Sequence, residues 1–576
     1  MYSFRELQKA AKKEIEGKEM KLAVLGNSAT QLLSASIQGY ARLEGLNLSV
    51  FDAPFDQIDA QLLDPASETR KFAPDGILLY LATERLYEAF LDLPLAERSS
   101  FAEGVMKRLV GYYDTIAGNL GARILQCNFT EPLDQIIGQY SAKVDTTFTY
   151  QIRKLNALLQ ETMSTRRDVY PIDLLSIQLQ AGSKTFFDPA YYFNTTMTIA
   201  PAVLPQVAGA VTGVLKAMEG RVRKCVIFDL DGTVWGGIIG DDGMGGIEIG
   251  GLGKGHAFQE MQRYLKELKD YGIILAVCSK NTEEIAREPF ERHPEMILRL
   301  SDISVFVANW EDKATNIRTI IDTLNIGADS VVFLDDNPFE RNLIREMIPE
   351  VTVPELPEDP AEYVRFLRES GLFDTASYTG PGEDRTEMYR AEFARKQMQA
   401  KAASLDDYLE GLQMIGTAQR FAPEQYARIA QLTQRSNQFN LRTVRYTEGE
   451  IARIAEDPEK LPLSFTLQDR FGHHGLVSVL ILDLREKGEA FVDTWLMSCR
   501  VLKRGMEEYV INSLVRAAKE AGIRTIRGEY LPTAKNGMVR DVYEKMGFTR
   551  EGEGSFSLQI ADFQPLPTHI REDKKA

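Results

Sequence analysis

Short apolar runs, each followed by polar turn residues, recur along the chain. The runs in the first two thirds are residues 21–25, 47–51, 75–81, 123–129, 225–228, 271–278 and 330–334. Runs of this length are typical of buried strands. Helical patterns separate them, so the sequence predicts two successive open sheets of parallel α/β type.

The last third has a different pattern. Its strand-like runs are residues 464–467, 475–482 and 490–497, and the last of these leads into Cys499 to Gly505 and a helix that reaches about residue 521. A polar, charged stretch at residues 376–405 precedes this part. We therefore expect a further domain behind a linker helix.

Two carboxylates follow the run at 225–228, in Asp229-Leu230-Asp231-Gly232-Thr233. Side chains two residues apart face the same side of a strand. Like charges that close raise each other's pKa unless something positive lies between them. A hard divalent cation with oxygen ligands, best Mg²⁺, satisfies this requirement. For these five residues alone, an ordinary turn after a strand explains the pattern equally well.

Further polar groups follow the other two strands of the middle region. Ser279-Lys280-Asn281 follows the run at 271–278, Lys313 lies beyond it, and Asp335-Asp336 follows the run at 330–334. Ligands of open parallel sheets bind at the carboxyl ends of the strands. These side chains are therefore expected to converge.

These ordered motifs resemble the haloacid dehalogenase (HAD) superfamily, and within it the FkbH-like branch of phosphatases and glyceryl transferases. The resemblance rests on DLDGTVWGG, AVCSKN, NWEDKATNIR, FLDDNPFER, DTWLMSCRVLKRG and EYLPTAKNGMV, over about residues 220–560. It implies that Asp229 is a nucleophile forming an aspartyl-phosphate and that Asp231 is the general acid/base. It also implies that Ser279 and Lys313 hold the phosphoryl group.

The resemblance further implies a magnesium site at Asp229, Asp231, Asp335 and Asp336, with Asp231 contributing its backbone carbonyl. Thr233 and Asn281 are expected to bind substrate. Seven glycines between Gly236 and Gly250 leave room only for a minimal cap.

The N-terminal region resembles the SGNH hydrolase-type domain of longer FkbH-like proteins. Its Gly26-Asn27-Ser28 turn places Ser28 where such enzymes carry a nucleophile. The late Asp-x-x-His pair has no counterpart at Asp188-Pro189-Ala190-Tyr191, and residues 1–215 contain no histidine. Without a base the serine is not activated, so we expect a non-catalytic binding or docking module.

The C-terminal region resembles GNAT-type acyltransferases. Arg500, Lys503, Arg504 and Gly505 match their phosphate-holding loop, which precedes a helix N-terminus. Lys503 replaces a glycine that allows close backbone approach, which puts acetyl-CoA in doubt. The phosphopantetheine arm of an acyl carrier protein is the expected ligand. His473, His474 and Asn536 are candidates for the same cleft.

The expected fold is α/β with three domains. They are an SGNH-like doubly wound sheet at 1–215, a HAD-like Rossmannoid at 220–375 and a GNAT-like α+β domain at 406–576, with the linker helix at 376–405. The resembled branch converts 1,3-bisphosphoglycerate into a glyceryl thioester on a carrier protein. An acyl group could travel through Cys278 or Cys499, or both thiols could be inert core residues.

The amino-acid composition limits the classes of partner that the protein is expected to bind. The formal net charge of −16 argues against nucleic acid. Four widely spaced cysteines give neither a disulfide framework nor metal spacing and fit a reducing cytoplasm. No apolar run is long enough for a bilayer, so no membrane partner is expected. A plain small-metabolite phosphatase and a non-catalytic biosynthetic scaffold remain the alternative functions.

Overall fold

A computed structural model describes residues 2–132, 134–377, 404–484 and 488–573. The chain divides into two compact units, residues 1–218 and 219–576. The second unit contains two separate sheets. The linker helix predicted at 376–405 lies almost entirely outside the described residues.

The first unit is built on a five-stranded parallel sheet of order β2-β1-β3-β4-β5. Its strands are β1 Met20–Gly26, β2 Leu48–Asp52, β3 Gly76–Tyr80, β4 Arg123–Cys127 and β5 Val169–Ile172. The pattern of apolar runs did not reveal β5, which contains Pro171. Proline cannot donate to a sheet and is confined to positions such as an edge strand, which is where β5 lies.

Helices cover this sheet. They are Phe4–Ala10, Gln31–Leu43, Ile58–Leu63, Glu68–Phe72, Thr83–Leu91, Phe101–Asn119, Phe148–Thr165, Leu174–Ala181, Ser183–Phe186, Pro189–Thr195 and Leu204–Met218. One face of the sheet packs against the helices Phe101–Asn119 and Phe148–Thr165 through a continuous apolar cluster.

The second unit begins with a four-stranded parallel sheet of order β8-β7-β6-β9. Its strands are β6 Cys225–Phe228, β7 Ile274–Ser279, β8 Val305–Ala308 and β9 Val331–Leu334. Its helices are Ile239–Asp242, Lys254–Asp270, Glu283–Arg292, Lys313–Leu324, Pro338–Met347 and Tyr363–Glu369. Apolar clusters cover both faces. Because β6 lies between β7 and β9, the residues that follow it are flanked by both neighbouring strand ends.

A larger, mostly antiparallel sheet forms the rest of the second unit, in the order β16-β17-β15-β14-β13-β12-β10-β18, with β11 paired to β14. Its strands are β10 Ile415–Arg420, β11 Phe439–Asn440, β12 Lys460–Asp469, β13 Gly472–Asp483, β14 Glu489–Met497, β15 Thr525–Glu529, β16 Thr549–Gly552, β17 Ser555–Gln559 and β18 Arg571–Glu572. The accompanying helices are Leu405–Leu412, Tyr426–Arg435, Glu448–Glu456, Met506–Glu520 and Val542–Lys545.

Every helix in the described part of the chain is too short or too polar to cross a bilayer.

Two helical glycines of the first unit differ in what surrounds them. A Cβ at Gly39 would lie 2.0 Å from the backbone oxygen of Leu7, whereas a Cβ at Gly111 would meet nothing within 4 Å. We expect Gly39→Ala to lower the free energy of unfolding by about 1–3 kcal/mol through overpacking. Gly111→Ala is expected to raise it by about 0.5–1 kcal/mol, because alanine favours helix. Urea unfolding followed by circular dichroism tests both; equal effects would contradict this packing.

Candidate active site

A buried lysine between two carboxylates forms the centre of the site. Lys313 Nζ lies 2.8 Å from Asp229 Oδ2 and 2.6 Å from Asp335 Oδ2. The Lys313 side chain is 3% exposed and that of Asp335 is fully buried. Burial alone would lower the pKa of Lys313, but the two carboxylates outweigh it and raise that pKa above its usual value. Three groups from distant parts of the sequence therefore meet in one buried cluster of charged side chains.

Local structure explains how the lysine reaches this position. Asp312 caps the helix Lys313–Leu324 by accepting a hydrogen bond from the Thr315 amide at 2.9 Å. The cap makes Lys313 the first helical residue, directly above the carboxyl end of the sheet. The sequence Asn309-Trp310-Glu311-Asp312-Lys313 thus contains the signal for both the turn and the helix start.

The loop after β9 is held in place by residues of the helix that follows it, Pro338–Met347. The Arg341 guanidinium donates to the carbonyl oxygens of Asp335 and Asp336, at 2.9 and 2.7 Å. Asn337 caps the helix Pro338–Met347, and its amide donates to Asp335 Oδ1 at 2.8 Å. Burial raises the pKa of Asp335 to about 6, although Lys313 offsets part of this effect. The loop therefore presents Asp335 in one fixed orientation.

Asp231 is oriented separately. Its Oδ1 accepts hydrogen bonds from the Trp235 indole at 2.7 Å and the Ile239 amide at 3.1 Å, and its Oδ2 accepts one from Asn281 at 2.8 Å. Burial raises the pKa of Asp231 above that of an ordinary aspartate, and these donors offset it only in part. A carboxyl group of this kind is suited to carry a proton and to release it again.

A close approach at Gly232 completes the arrangement. Gly232 has a φ of +72°, and a Cβ there would lie 2.2 Å from Asp336 Oδ2. Any side chain would thus be strained and would displace the Asp336 carboxylate. The glycine of Asp229-Leu230-Asp231-Gly232 is therefore required by the neighbouring strand end.

The donor set fits a divalent cation. Asp229, Asp335 and Asp336 each offer a carboxylate oxygen within 4.8 Å of the others. Asp229 Oδ1 is buried and has no hydrogen-bond partner among the described residues. Three carboxylate oxygens are ligands that Mg²⁺ accepts, and a cation would also satisfy this orphan oxygen. Asp231 is expected to contribute its backbone carbonyl, which leaves its side chain to the three donors described above.

The remaining predicted phosphate and substrate groups lie near the same strand ends. Ser279 is the last residue of β7 and Thr233 follows Gly232, and both are buried. Thr233 Oγ1 has no hydrogen-bond partner in the described part of the chain. Asn281 contacts Asp231 rather than open solvent.

Two positioning residues were not among the sequence candidates. Trp235 is fully buried and orients Asp231. Arg341 holds the Asp335 loop through its guanidinium. Their spacing along the chain carries no signal for these roles, because both depend on how strand ends meet in space.

A solved structure that is similar to two thirds of the chain decides the family. The N-terminal part of the protein BF1531 from Bacteroides fragilis, containing a phosphatase domain complexed with Mg, is 43% identical. The match covers 66% of this chain and 100% of that one, with a TM-score of 0.63. The model of the FkbH N-terminal domain matches residues 21–216. The chain belongs to the FkbH-like HAD family.

Two further solved structures are each similar to a quarter of the chain. The ribosomal-protein-S18-alanine N-acetyltransferase from Escherichia coli is 16% identical, covering 25% of this chain and 94% of its own, with a TM-score of 0.20. The GNAT domain of S. lividans PAT is 18% identical, covering 25% and 89%, with a TM-score of 0.21. No curated protein matches the chain. These similarities are too low to carry an argument about the third predicted domain.

The two candidate acyl carriers lie in different surroundings. Cys278 is fully buried, and burial raises the pKa of its thiol to about 12. It packs on the face of the sheet that carries Ile227 and Ala276. Cys499 is half-buried and its Sγ donates to the Asn325 carbonyl oxygen at 3.2 Å. Burial and a high pKa both work against acylation of Cys278.

The predicted pantetheine loop precedes the helix Met506–Glu520. Lys503 has a φ of +60° and Gly505 a φ of +77°, so the lysine adopts the left-handed conformation that the replaced glycine would favour. Arg504 is buried, 3.8 Å from Asp469, which also binds His474 Nε2 at 2.8 Å. Arg504 and His474 therefore both lie against the buried Asp469 carboxylate.

Asn536, the other cleft candidate, is fully buried. Its amide donates to the carbonyl oxygens of Asn440 and Leu531 at 2.9 Å. These contacts tie β11 to the chain after β15, which is a structural role.

The proposed nucleophile position of the first unit is closed. Ser28 is fully buried, and Asp188 caps the helix Pro189–Thr195 through the Ala190 amide at 2.8 Å. The histidine-free sequence of this unit places no imidazole near the serine. The prediction of a non-catalytic module is consistent with this geometry and stays a prediction.

The indole of Trp235 gives a pH test of the site. Its N–H favours the ionised form of Asp231, so Trp235→Phe is expected to raise the pKa of Asp231 further. If Asp231 acts as acid and then as base, both limbs of the pH–rate profile should move to higher pH. Phosphatase assays across pH measure the shift. Phe290→Leu, which changes the packing against Trp235 but keeps the indole, should leave the profile in place; an unmoved Trp235→Phe profile would contradict this role.

Proposed function

We propose that this protein is a magnesium-dependent phosphatase and glyceryl transferase that works through an aspartyl-phosphate at Asp229. The observation that carries the proposal is the pairing of Asp229 with Lys313 at 2.8 Å, beside a buried Asp229 oxygen that has no partner in the described residues. A carboxylate that is paired with a lysine and directed into a cation-binding cluster is the arrangement that phosphoryl transfer requires.

The chain's own residues supply most of the chemistry. Asp229 attacks phosphorus, and Lys313 offsets the charge of the phosphoryl oxygens as the anionic groups approach. Asp231, whose pKa is raised by burial, donates its proton to the leaving oxygen. The ionised Asp231 then accepts a proton from the water molecule that hydrolyses the aspartyl-phosphate intermediate. Asn281 and Trp235 keep its carboxyl plane fixed through both steps.

A Mg²⁺ ion bound by Asp229, Asp335 and Asp336 would supply further positive charge for the phosphoryl group. The Mg-complexed phosphatase domain of the related Bacteroides fragilis protein supports this choice of metal.

The proposed substrate is 1,3-bisphosphoglycerate, and the proposed product is a glyceryl group on the thiol of an acyl carrier protein, serving polyketide or polysaccharide biosynthesis. The carrier thiol attacks the C1 carbonyl and displaces the C1 phosphate, which forms the thioester, and the C3 phosphate monoester is hydrolysed through Asp229. Membership of the FkbH-like HAD family supports this choice. The short segment between Gly236 and Gly250, with one four-residue helix, provides no large cap over the site. A carrier protein with its prosthetic arm could therefore reach it.

A plain small-metabolite phosphatase is the second candidate. The observation that favours it is the burial of Cys278, the thiol nearest the phosphoryl site. In this version no acyl group is transferred and the C-terminal sheet serves another purpose.

Removal of the nucleophile tests the phosphatase itself. Asp229→Asn should lower kcat on an aryl phosphate by about 10³-fold or more, since the covalent route is lost. Lys313→Met should lower it by about 10²–10³-fold, the usual effect of one electrostatic contact. EDTA should abolish wild-type activity and Mg²⁺ should restore it. Asp242→Asn, outside the carboxylate cluster, is the control; full activity of Asp229→Asn would disprove the mechanism.

Mass spectrometry of protein treated with 1,3-bisphosphoglycerate distinguishes the two candidates. Glyceryl transfer predicts a glyceryl thioester on added carrier protein, formed by wild type and by Cys278→Ser, because the buried Cys278 is not expected to carry the acyl group. Release of phosphate with no acylated carrier would establish hydrolysis alone. Loss of transfer in a folded Cys278→Ser protein would show instead that this thiol takes part.

A further inference from the structure

The second unit contains a cavity of about 590 Å³ that the phosphatase mechanism does not use. It lies between the four-stranded sheet and the elements of the C-terminal sheet. Arg318 and Asn325 line it from the helix Lys313–Leu324 and the turn that follows, and Arg435 and Cys499 line it from the C-terminal part. The two parts meet directly here, since Asn325 Nδ2 donates to the Cys499 carbonyl oxygen at 3.2 Å.

This cavity is at the opposite edge of the sheet from the carboxylate cluster. Lys224, Ile274 and Ser330, which line it, stand at or just before the first residues of β6, β7 and β9. Asp229 and Asp335 follow the last residues of β6 and β9. A four-residue strand spans about 13 Å. The cavity is therefore a separate compartment and not an extension of the phosphoryl site.

Its charge is opposite to that of the whole protein. Seven arginine and lysine residues line the cavity against three aspartate and glutamate residues, whereas the chain as a whole carries a formal charge of −16. A concave surface lined by one sign of charge concentrates ligands of the other sign. An excess of four cations in so acidic a protein indicates an anion site.

Two of the cations are forced close together. Lys224 Nζ donates to the Arg435 carbonyl oxygen at 3.1 Å. Burial and, after it, the charge of Arg435 lower the pKa of Lys224 to about 8. A bound anion would offset this repulsion. The acidic residues that line the same cavity are Asp322, Glu350 and Asp329, which pairs with Lys535.

The rest of the wall is suited to an organic body. Ile321, Leu432, Phe439 and Met497 supply apolar surface beside the cations. An inorganic anion would leave this surface unused, whereas an organic phosphate would cover it. A guanidinium group can donate two parallel hydrogen bonds to two oxygens of one phosphate. Three guanidinium groups that line the cavity belong to Arg318, Arg435 and Arg500.

We propose that the cavity between the two sheets of the second unit binds an organic phosphate ester, with Arg435 and Arg500 recognising the phosphate and the apolar wall recognising the organic group. The proposal goes beyond the phosphatase function and holds whether or not that function is correct. The ester is either a free metabolite or a phosphate-linked prosthetic arm, and both present the same chemistry to the cavity.

Cys499 provides a local reporter. It is half-buried on the cavity wall, while Cys127, Cys225 and Cys278 are buried. Iodoacetamide should therefore alkylate the native protein at Cys499, and the site can be read by peptide mass spectrometry, with Cys499→Ser as the labelling control. The experiment uses the full chain carrying Asp229→Asn, in EDTA, so that the probes are not hydrolysed.

The probes are S-methyl-4′-phosphopantetheine, glycerol 3-phosphate and the matched alcohols, S-methyl-pantetheine and glycerol. We expect one of the phosphates to slow alkylation of Cys499, by about tenfold at ten times its Kd. Protection by the first identifies a prosthetic arm, and protection by the second identifies a small metabolite. Arg500→Gln should raise the Kd of the protecting phosphate by about tenfold or more, because one charge-assisted hydrogen bond to the phosphate is lost.

A matched control is Arg550→Gln, which removes an exposed arginine paired with Glu544 at 3.0 Å and should leave protection unchanged. Protection by neither phosphate, or equal protection by phosphate and alcohol, would overturn the proposal. So would equal protection in the Arg500→Gln and Arg550→Gln proteins. Phosphatase assays of the wild type and of Arg500→Gln, run separately, show whether the catalytic site is intact and so keep the two functions distinguishable.

Discussion

The site depends on one buried ionic cluster, in which Lys313 pairs with both Asp229 and Asp335. Removing charged groups from water is costly, and a buried pair is favourable only when its geometry and hydrogen bonds are good. Loss of one partner leaves an uncompensated charge, at a cost of about 3–5 kcal/mol. The lysine must therefore stay near the aspartates, and the helix cap at Asp312, the Arg341 contacts and the tight turn at Gly232 all serve to keep it there.

The same constraint separates the roles of the two aspartates that follow β6. Asp229 faces the Lys313 ammonium, whereas Asp231 faces hydrogen-bond donors and has a raised pKa. In the proposed mechanism, these different surroundings make one aspartate the nucleophile and the other the proton carrier. The buried indole of Trp235 contributes to this difference.

The sequence was sufficient for β6, β7 and β9, because each of these apolar runs is followed immediately by a chemical group, as in Asp229, Ser279 and Asp335. It did not reveal two edge strands: β5, which contains a proline, and β8, which is mostly half-buried. It also did not reveal the roles of Trp235 and Arg341, whose partners are set by strand order. The carboxylate cluster needed only motif order, but the cavity at Lys224 and Cys499 could not be predicted. Its residues come from seven separated segments whose contact is determined by packing between the two sheets.

The proposed mechanism requires that Asp229 becomes covalently phosphorylated. The direct measurement is to quench the wild-type protein during turnover of an aryl phosphate with Mg²⁺, reduce it with borohydride and sequence the peptides by mass spectrometry. An aspartyl-phosphate is reduced to homoserine, so the account predicts homoserine at position 229 and at no other aspartate. Phosphate release with an unmodified Asp229, or homoserine at Asp231 or Asp335 instead, would contradict it.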